Sequence, residues 1–290
     1  MPTAVTRRAL AALLAGVVVA LVGACTPSPA QPGATTSPHA ATSSPAAATP
    51  AASAAPSTAA SAAPSPAASA APSQGADDAL LDRAIRGGVT VRSSGPSSGT
   101  VALRVLADAT PRALDDGSVR VPLAAGDGTV VVVAPAPWRL DVLADGTALV
   151  LLDDEPVAGL RAEPAGRLRT LTRTEVDGTT SDVAVLRADD EPTSVWITSR
   201  AVLDLSWGER EGGRSLAVTP ADWARGGGLA AAALVPAQVV AAEPEAGTAT
   251  MLDQLACHQQ GARRKAAWNI EPWRPQVSAL ELVATRCNPT

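Results

Sequence analysis

Residues 26–75 contain no charged side chain and are almost wholly Ala, Ser, Pro and Thr. Such a stretch cannot bury enough apolar surface to offset the entropy lost on ordering, so any globular part must lie beyond it. The octad Ala-Ala-Ser-Ala-Ala-Pro-Ser-x recurs three times in register, at 51–58, 59–66 and 67–74. A proline every eight residues breaks any alanine helix, and a disordered spacer is expected. Fifty residues reach about 155 Å if polyproline-like and about 40 Å as a flexible coil. The Ser and Thr beside Pro give the composition of an O-glycosylated stalk.

Ahead of the spacer, Arg7 and Arg8 precede the apolar run 9–22, which exits through Val22-Gly23-Ala24-Cys25. Basic start, apolar centre and small-residue exit are the parts of an export signal. The run is too short for a bilayer crossing, which needs roughly 20 apolar residues. A Cys directly after the exit resembles the bacterial lipoprotein signal, whose lipobox ends in a Cys that receives diacylglycerol before cleavage. The resemblance implies a leader over 1–24, a lipidated Cys25 bearing palmitate-type acyl chains, and a tether to the outer leaflet of the cytoplasmic membrane. Each buried methylene of such a chain contributes about 0.8 kcal/mol of membrane affinity.

The 23 Lys and Arg, less the two in the leader, leave 21 basic side chains against 28 acidic ones, a net of −7 for residues 76–290. That excess argues against nucleic acid as a partner. Phe and Tyr are absent, so aromatic contacts fall to Trp138, Trp196, Trp207, Trp223, Trp268 and Trp273, and aliphatic packing must dominate. Lys265 is the lone lysine, and the Arg, Ala and Pro bias points to a GC-rich genome. With Cys25 lipidated, Cys257 and Cys287 remain as an even pair in an oxidising compartment, and a disulfide between them is expected. No cofactor is expected, and a zinc site, which wants four ligands, is disfavoured by the single His beside this pair.

Asp77-Asp78 is expected to cap a short helix through Ile85, ended by Gly87-Gly88. The apolar period then becomes two, with candidate strands at 100–106, 118–123, 129–134, 138–143, 147–152, 157–162, 168–176, 182–187, 194–199, 202–207 and 214–219. Asp116-Gly117, Asp127-Gly128, Asp145-Gly146 and Asp177-Gly178 stand between apolar runs as hairpin signals. An α+β fold follows: a β-rich antiparallel body over 77–199, as meander, sandwich or barrel, then a short helical part stapled by the disulfide. Residues 229–243, with Pro236 inside, read equally as a broken helix or a strand. Met251 to Lys265 reads as a helix with Leu252, Leu255 and Ala256 inward and Gln254, Gln259 and Arg263 outward. Residues 278–286 read as a second short helix.

Few motifs carry chemistry. Gly95-Pro96-Ser97-Ser98-Gly99 fits the nucleophile-elbow pattern but leads into a strand where a helix is required. Asp153-Asp154-Glu155-Pro156 and Asp189-Asp190-Glu191-Pro192 read as acidic turns whose Pro stops strand pairing, rather than as calcium ligands. Arg225-Gly226-Gly227-Gly228 lacks the Lys-Ser/Thr of a phosphate loop. His258 is the one His of the folded part, and five residues from Asp253 it is poorly spaced for a helix-face pair.

The densest cluster spans Trp207, Arg214, Trp223 and Arg225, then His258, Trp268, Asn269, Trp273 and Arg274. Trp beside polar donors suits a carbohydrate or peptide surface; the same indoles would also fill a core that lacks Phe and Tyr. The residues Trp207-Gly208, Gly212 to Pro220, Trp223-Ala224-Arg225, Met251, Asp253-Gln254, Cys257-His258, Trp268-Asn269, Glu271 to Pro275 and Cys287-Asn288-Pro289 resemble the actinobacterial secreted domain-of-unknown-function family 2599. The resemblance covers about residues 200–290 and implies an exported actinobacterial protein without assigning a catalytic residue.

The expectation is a lipid-anchored cell-envelope protein: leader 1–24, anchor and spacer 25–76, β-rich region 77–199, family-like domain 200–290. Its role is expected to be non-catalytic, with the Trp/Arg cluster facing an envelope glycan, lipid or protein. The alternative is an envelope hydrolase using His258 with a carboxylate.

Overall fold

The computed structural model describes residues 74–95, 99–126, 128–164, 166–174, 180–187 and 193–290. Cys25, the leader and the spacer through 73 lie outside them, as do Asp127, Asp177-Gly178 and the second acidic tetrapeptide. No helix among the described residues is long and apolar enough to cross a membrane.

Helix α1 (Gln74–Gly87) begins three residues before the expected Asp77-Asp78 start. Eleven strands follow: β1 (Val89–Gly95), β2 (Gly99–Leu106), β3 (Arg112–Ala113), β4 (Val119–Leu123), β5 (Thr129–Val133), β6 (Arg139–Val142), β7 (Ala148–Leu152), β8 (Glu155–Glu163), β9 (Arg169–Thr174), β10 (Thr180–Arg187) and β11 (Thr193–Thr198). They form two antiparallel sheets, ordered β1-β2-β5-β10-β9 and β3-β4-β11-β8-β7-β6. Their inner faces share one core that includes Val101, Leu103, Val105, Val121, Val132, Leu160, Val195 and Ile197. The body is thus a sandwich. Strands such as Thr129-Val-Val-Val-Val133 and Ala148-Leu-Val-Leu-Leu152 are apolar on both faces because both are covered. Leu81 and Ala84 of α1 pack on Val131, Val133, Val183 and Val185, the outer face of the five-stranded sheet.

The Asp-Gly turns work through a shared device. In both β3–β4 and β6–β7 a three-residue loop closes, with Leu114 N–H to Ser118 C=O and Leu143 N–H to Thr147 C=O, both at 2.8 Å. Gly117 and Gly146 take φ of +82° and +80°, the left-handed position such loops require. The preceding Asp116 and Asp145 each accept from the backbone and hydroxyl two residues on, Ser118 and Thr147. Strands β4 and β5, which flank Asp127-Gly128, belong to different sheets and do not pair as the hairpin signal there predicted. Asp153 and Asp154, at φ 51° and 67°, form the two-residue turn between β7 and β8. Pro156 does not stop pairing, since it lies within β8 opposite Leu151, where the register shifts.

Residues 202–290 add β12 (Val202–Arg210), β13 (Gly213–Pro220), α2 (Asp222–Arg225), α3 (Leu229–Ala242), a 3-10 turn at Pro244–Gly247, α4 (Ala249–Gly261), β14 (Trp268–Ile270) and α5 (Ala279–Ala284). Strands β12-β13-β14 make a third sheet, in which β14, like β1 and β3, was not legible as a strand. The ambiguous 229–243 segment is one helix that includes Pro236 and buries Leu234, Val235 and Val239. These elements pack on the outer face of the six-stranded sheet through Leu149, Leu151 and Trp196. Asp145 Oδ2 accepts Leu229 N–H at 2.7 Å and Thr147 Oγ1 accepts Ala230 N–H at 3.1 Å, so a body hairpin caps α3. Burial alone would raise the Asp145 pKa, but the bonds from Thr147 and Leu229 outweigh it and hold it below the usual carboxylate value.

Candidate functional site

The inward stripe of α4 is Met251, Gln254, Leu255, His258 and Gln259, so Gln254 and Gln259 face in, contrary to expectation. Gln254 is buried because its amide imitates a strand: Oε1 accepts Glu271 N–H and Nε2 donates to Glu271 C=O, both at 2.9 Å. Gln238 of α3 does likewise, accepting from Ala201 and Val202 N–H and donating to Ser199 C=O.

Glu271 and Arg274 are 1% and 3% exposed. Arg274 Nε donates to Glu271 Oε2 at 2.7 Å, Nη2 to Glu211 Oε2 at 2.8 Å and Nη1 to the Pro289 carbonyl at 2.9 Å. Ser215 Oγ donates to the other Glu271 oxygen at 2.9 Å. Burial pulls the Arg274 pKa down, but its bonds to Glu271 and Glu211 reverse the direction and raise it. Four segments, the β12–β13 hairpin, α4, the strand exit after β14 and the C-terminal stretch, therefore meet on one charge cluster. Beside it the Cys257–Cys287 disulfide joins α4 to the residues after α5.

The aromatic residues separate. Trp223 and Trp268 are fully buried. Trp223 lies so close over β8 that a Cβ at Gly159 would stand 2.4 Å from its ring, and its N–H donates to the Trp196 carbonyl. The Trp268 N–H donates to the Ala262 carbonyl. The two indoles therefore cannot belong to a ligand face; in a chain without Phe or Tyr they are its largest core pieces. Trp207 is half-buried, with Arg214 over its ring at 4.2 Å and its N–H on Glu243 Oε2 at 2.9 Å. Trp273 is 42% exposed and rests on Gly213, where a Cβ would meet the indole at 2.3 Å. Trp207 pairs with Leu216 in register, whereas Trp273 sits with Gly213 and Glu271 with Ser215; side-chain alternation puts Trp207 and Trp273 on opposite faces of the hairpin.

His258 is 1% exposed. Its Nε2 meets the Asn269 carbonyl at 2.9 Å, which makes Nε2 the protonated nitrogen, while Nδ1 has no partner among the described residues. Burial lowers its pKa against the raising effect of the Asn269 carbonyl, and Lys265 lowers it further, which favours the neutral ring. Asp253 is exposed, so the two are not brought together. Arg225, half-buried, donates to the carbonyls of Arg263, Lys265 and Ala266. No group of three His, Cys, Asp or Glu among the described residues is placed to hold a metal ion.

The class these features define is an antiparallel β-sandwich carrying a disulfide-closed α+β module whose distinctive side chains point inward. Residues 202–290 match the family described as "Protein of unknown function (DUF2599)". The chain is also similar to three mycobacterial proteins: the uncharacterized protein Mb0487 of Mycobacterium bovis, and the uncharacterized proteins MT0495 and Rv0477 of Mycobacterium tuberculosis. Each is 48% identical over 66 residues, which is 21% of this chain and 45% of the relative. The chain thus spans less than half the length of the curated relatives it matches. No solved structure matches.

Proposed function

We propose that this is a lipid-anchored envelope protein whose C-terminal module is a non-catalytic scaffold or binding unit. The observation that carries the reading is the fate of the residues that make the module recognisable: Trp223, Gln254, His258, Trp268, Glu271 and Arg274 are all buried and committed to internal bonds or packing. A catalytic set needs an accessible base with an orienting partner, and His258 spends its bonding nitrogen on a backbone carbonyl. The export signal and Cys25 support the location, with the spacer carrying the domain clear of the membrane. The contact face reduces to Trp273, the one late indole with a large open surface, and its partner is an envelope glycan, lipid or protein.

Two measurements test this. Metabolic labelling with a palmitate analogue should mark the wild type and not Cys25→Ala; an unlabelled, cytosolic wild-type product refutes the anchor. Retention of the full chain on isolated cell wall should fall with Trp273→Ala and stay unchanged with Trp207→Ala; equal retention of all three removes the face.

A further inference from the structure

The outer face of the six-stranded sheet carries a charged row outside the family match. Strand register sets Arg112 opposite Arg120, Arg120 opposite Trp196, and Trp196 opposite Arg161. Directly paired residues share a face, so three guanidinium groups and one indole lie side by side across β3, β4, β11 and β8. Arg120 stands 4.1 Å and Arg161 5.1 Å from the Trp196 ring centroid. A fourth cation arrives from beyond α4: Arg263 Nη1 donates to the Gly226 carbonyl at 3.3 Å, and Arg161 presses on the same glycine, leaving no room there for a Cβ.

Among the described residues, the carboxylate that pairs with the two central arginines is Glu163. Glu163 Oε2 alone accepts from both Arg120, at 3.0 Å, and Arg161, at 3.1 Å. The Arg161 side chain is 12% exposed, and its Nε–H is closed to water without an acceptor among the described residues. Like charges set directly opposite in a sheet oppose folding, and a buried guanidinium short of acceptors is costly. Burial lowers the Arg161 pKa; Glu163 opposes this, and Arg120 and Arg263 add to the lowering. In a chain of net charge −5, such a concentration of positive charge with a buried N–H short of an acceptor is suited to a negatively charged group.

We propose that this row binds a phosphate-type oxyanion, gripped by Arg120 and Arg161 above Trp196, with Arg112 and Arg263 at its margins. Guanidinium forks match phosphate oxygens in geometry and charge, and they stack on indole while doing so. Glu163, whose Oε2 bridges the two central arginines, then acts as the anion's competitor.

The test is calorimetric titration of the full chain, carrying Cys25→Ser so that no acyl group tethers it, with sodium phosphate at constant ionic strength against chloride. A parallel arm measures retention on phosphatidylcholine vesicles with and without phosphatidylglycerol. Saturable phosphate binding is expected, weakened about tenfold by Arg120→Gln, as for loss of one charged hydrogen-bond donor. Arg112→Gln, an exposed edge residue whose loss leaves the fold intact, should weaken it by about threefold, and Glu163→Gln should strengthen it. Vesicle retention abolished by Arg120→Gln assigns the phosphate to a lipid headgroup; binding of inorganic phosphate without vesicle retention assigns it to a free or polymer-borne group. Absence of saturable binding in both arms, or binding that neither Arg120→Gln nor Arg112→Gln alters, overturns the proposal.

Discussion

In the sandwich the buried side chains are Val, Leu, Ile and Ala with a few small hydroxyls such as Ser93 and Ser199, whereas the interior of residues 202–290 also holds the long polar Gln238, Gln254, His258, Gln259, Glu271 and Arg274. The difference follows from size. Two wide facing sheets bury enough aliphatic surface to hold together with non-directional contacts. A three-stranded sheet with short helices offers less, and here it is fastened by a disulfide and by bonds that work only when every partner is in place. The sandwich can exchange one aliphatic residue for another at small cost. The module cannot replace Arg274 or Gln254 so freely, and it is the module that carries a recognisable pattern.

That contrast can be broken by substitution. Arg274→Ala, which strands the buried Glu271, should cost about 3–5 kcal/mol in denaturant unfolding, and the double change Arg274→Met with Glu271→Leu should cost clearly less. Removing the disulfide with Cys257→Ser and Cys287→Ser should cost about 3 kcal/mol by opening a loop of this length. Val132→Ala, two methyl groups from the sandwich centre, should cost about 2 kcal/mol; a larger loss here than for Arg274→Ala would invert the comparison. Asp145→Ala removes the cap that the body lends to α3 and should cost about 1 kcal/mol at neutral pH. Because the folded Asp145 pKa lies below its unfolded value of 3.8, that contribution is present above 3.8 and disappears as pH falls through the folded value, where variant and wild type should converge. The smallest effect concerns His258. The unfolded imidazole protonates near 6.5 and the folded one only at lower pH, so wild-type stability should drop as pH falls below 6.5. His258→Gln should flatten that limb in a melting-temperature series; an unchanged slope would show that the ring is not held neutral.

Much of the sandwich was legible because its signals are local. Alternation at Arg139-Leu140-Asp141-Val142 and the left-handed glycines after Asp116 and Asp145 need no knowledge of the rest of the chain. Strand β14 escaped because Trp268-Asn269-Ile270 is a strand only by virtue of pairing with Leu216 to Val218. The stripe on α4 was misread because Gln254 counts as polar until Glu271 supplies both halves of a backbone pair. The disulfide was foreseeable from cysteine arithmetic, but the splitting of the Trp cluster into core pieces and two hairpin faces was not, since it depends on β12–β13 register. The arginine row is set by the pairing of four strands, and its Gly226 neighbour comes from still another segment.

The placement of α1 has a directional consequence. The chain enters the fold through this helix on one outer face of the sandwich, while the module covers the other. Stacked sheets lie about 10 Å apart and each covering layer adds a similar thickness. Helix α1 and the module thus lie in layers roughly 30 Å apart, so that a displacement of one reaches the other only through the valine and leucine core between the sheets.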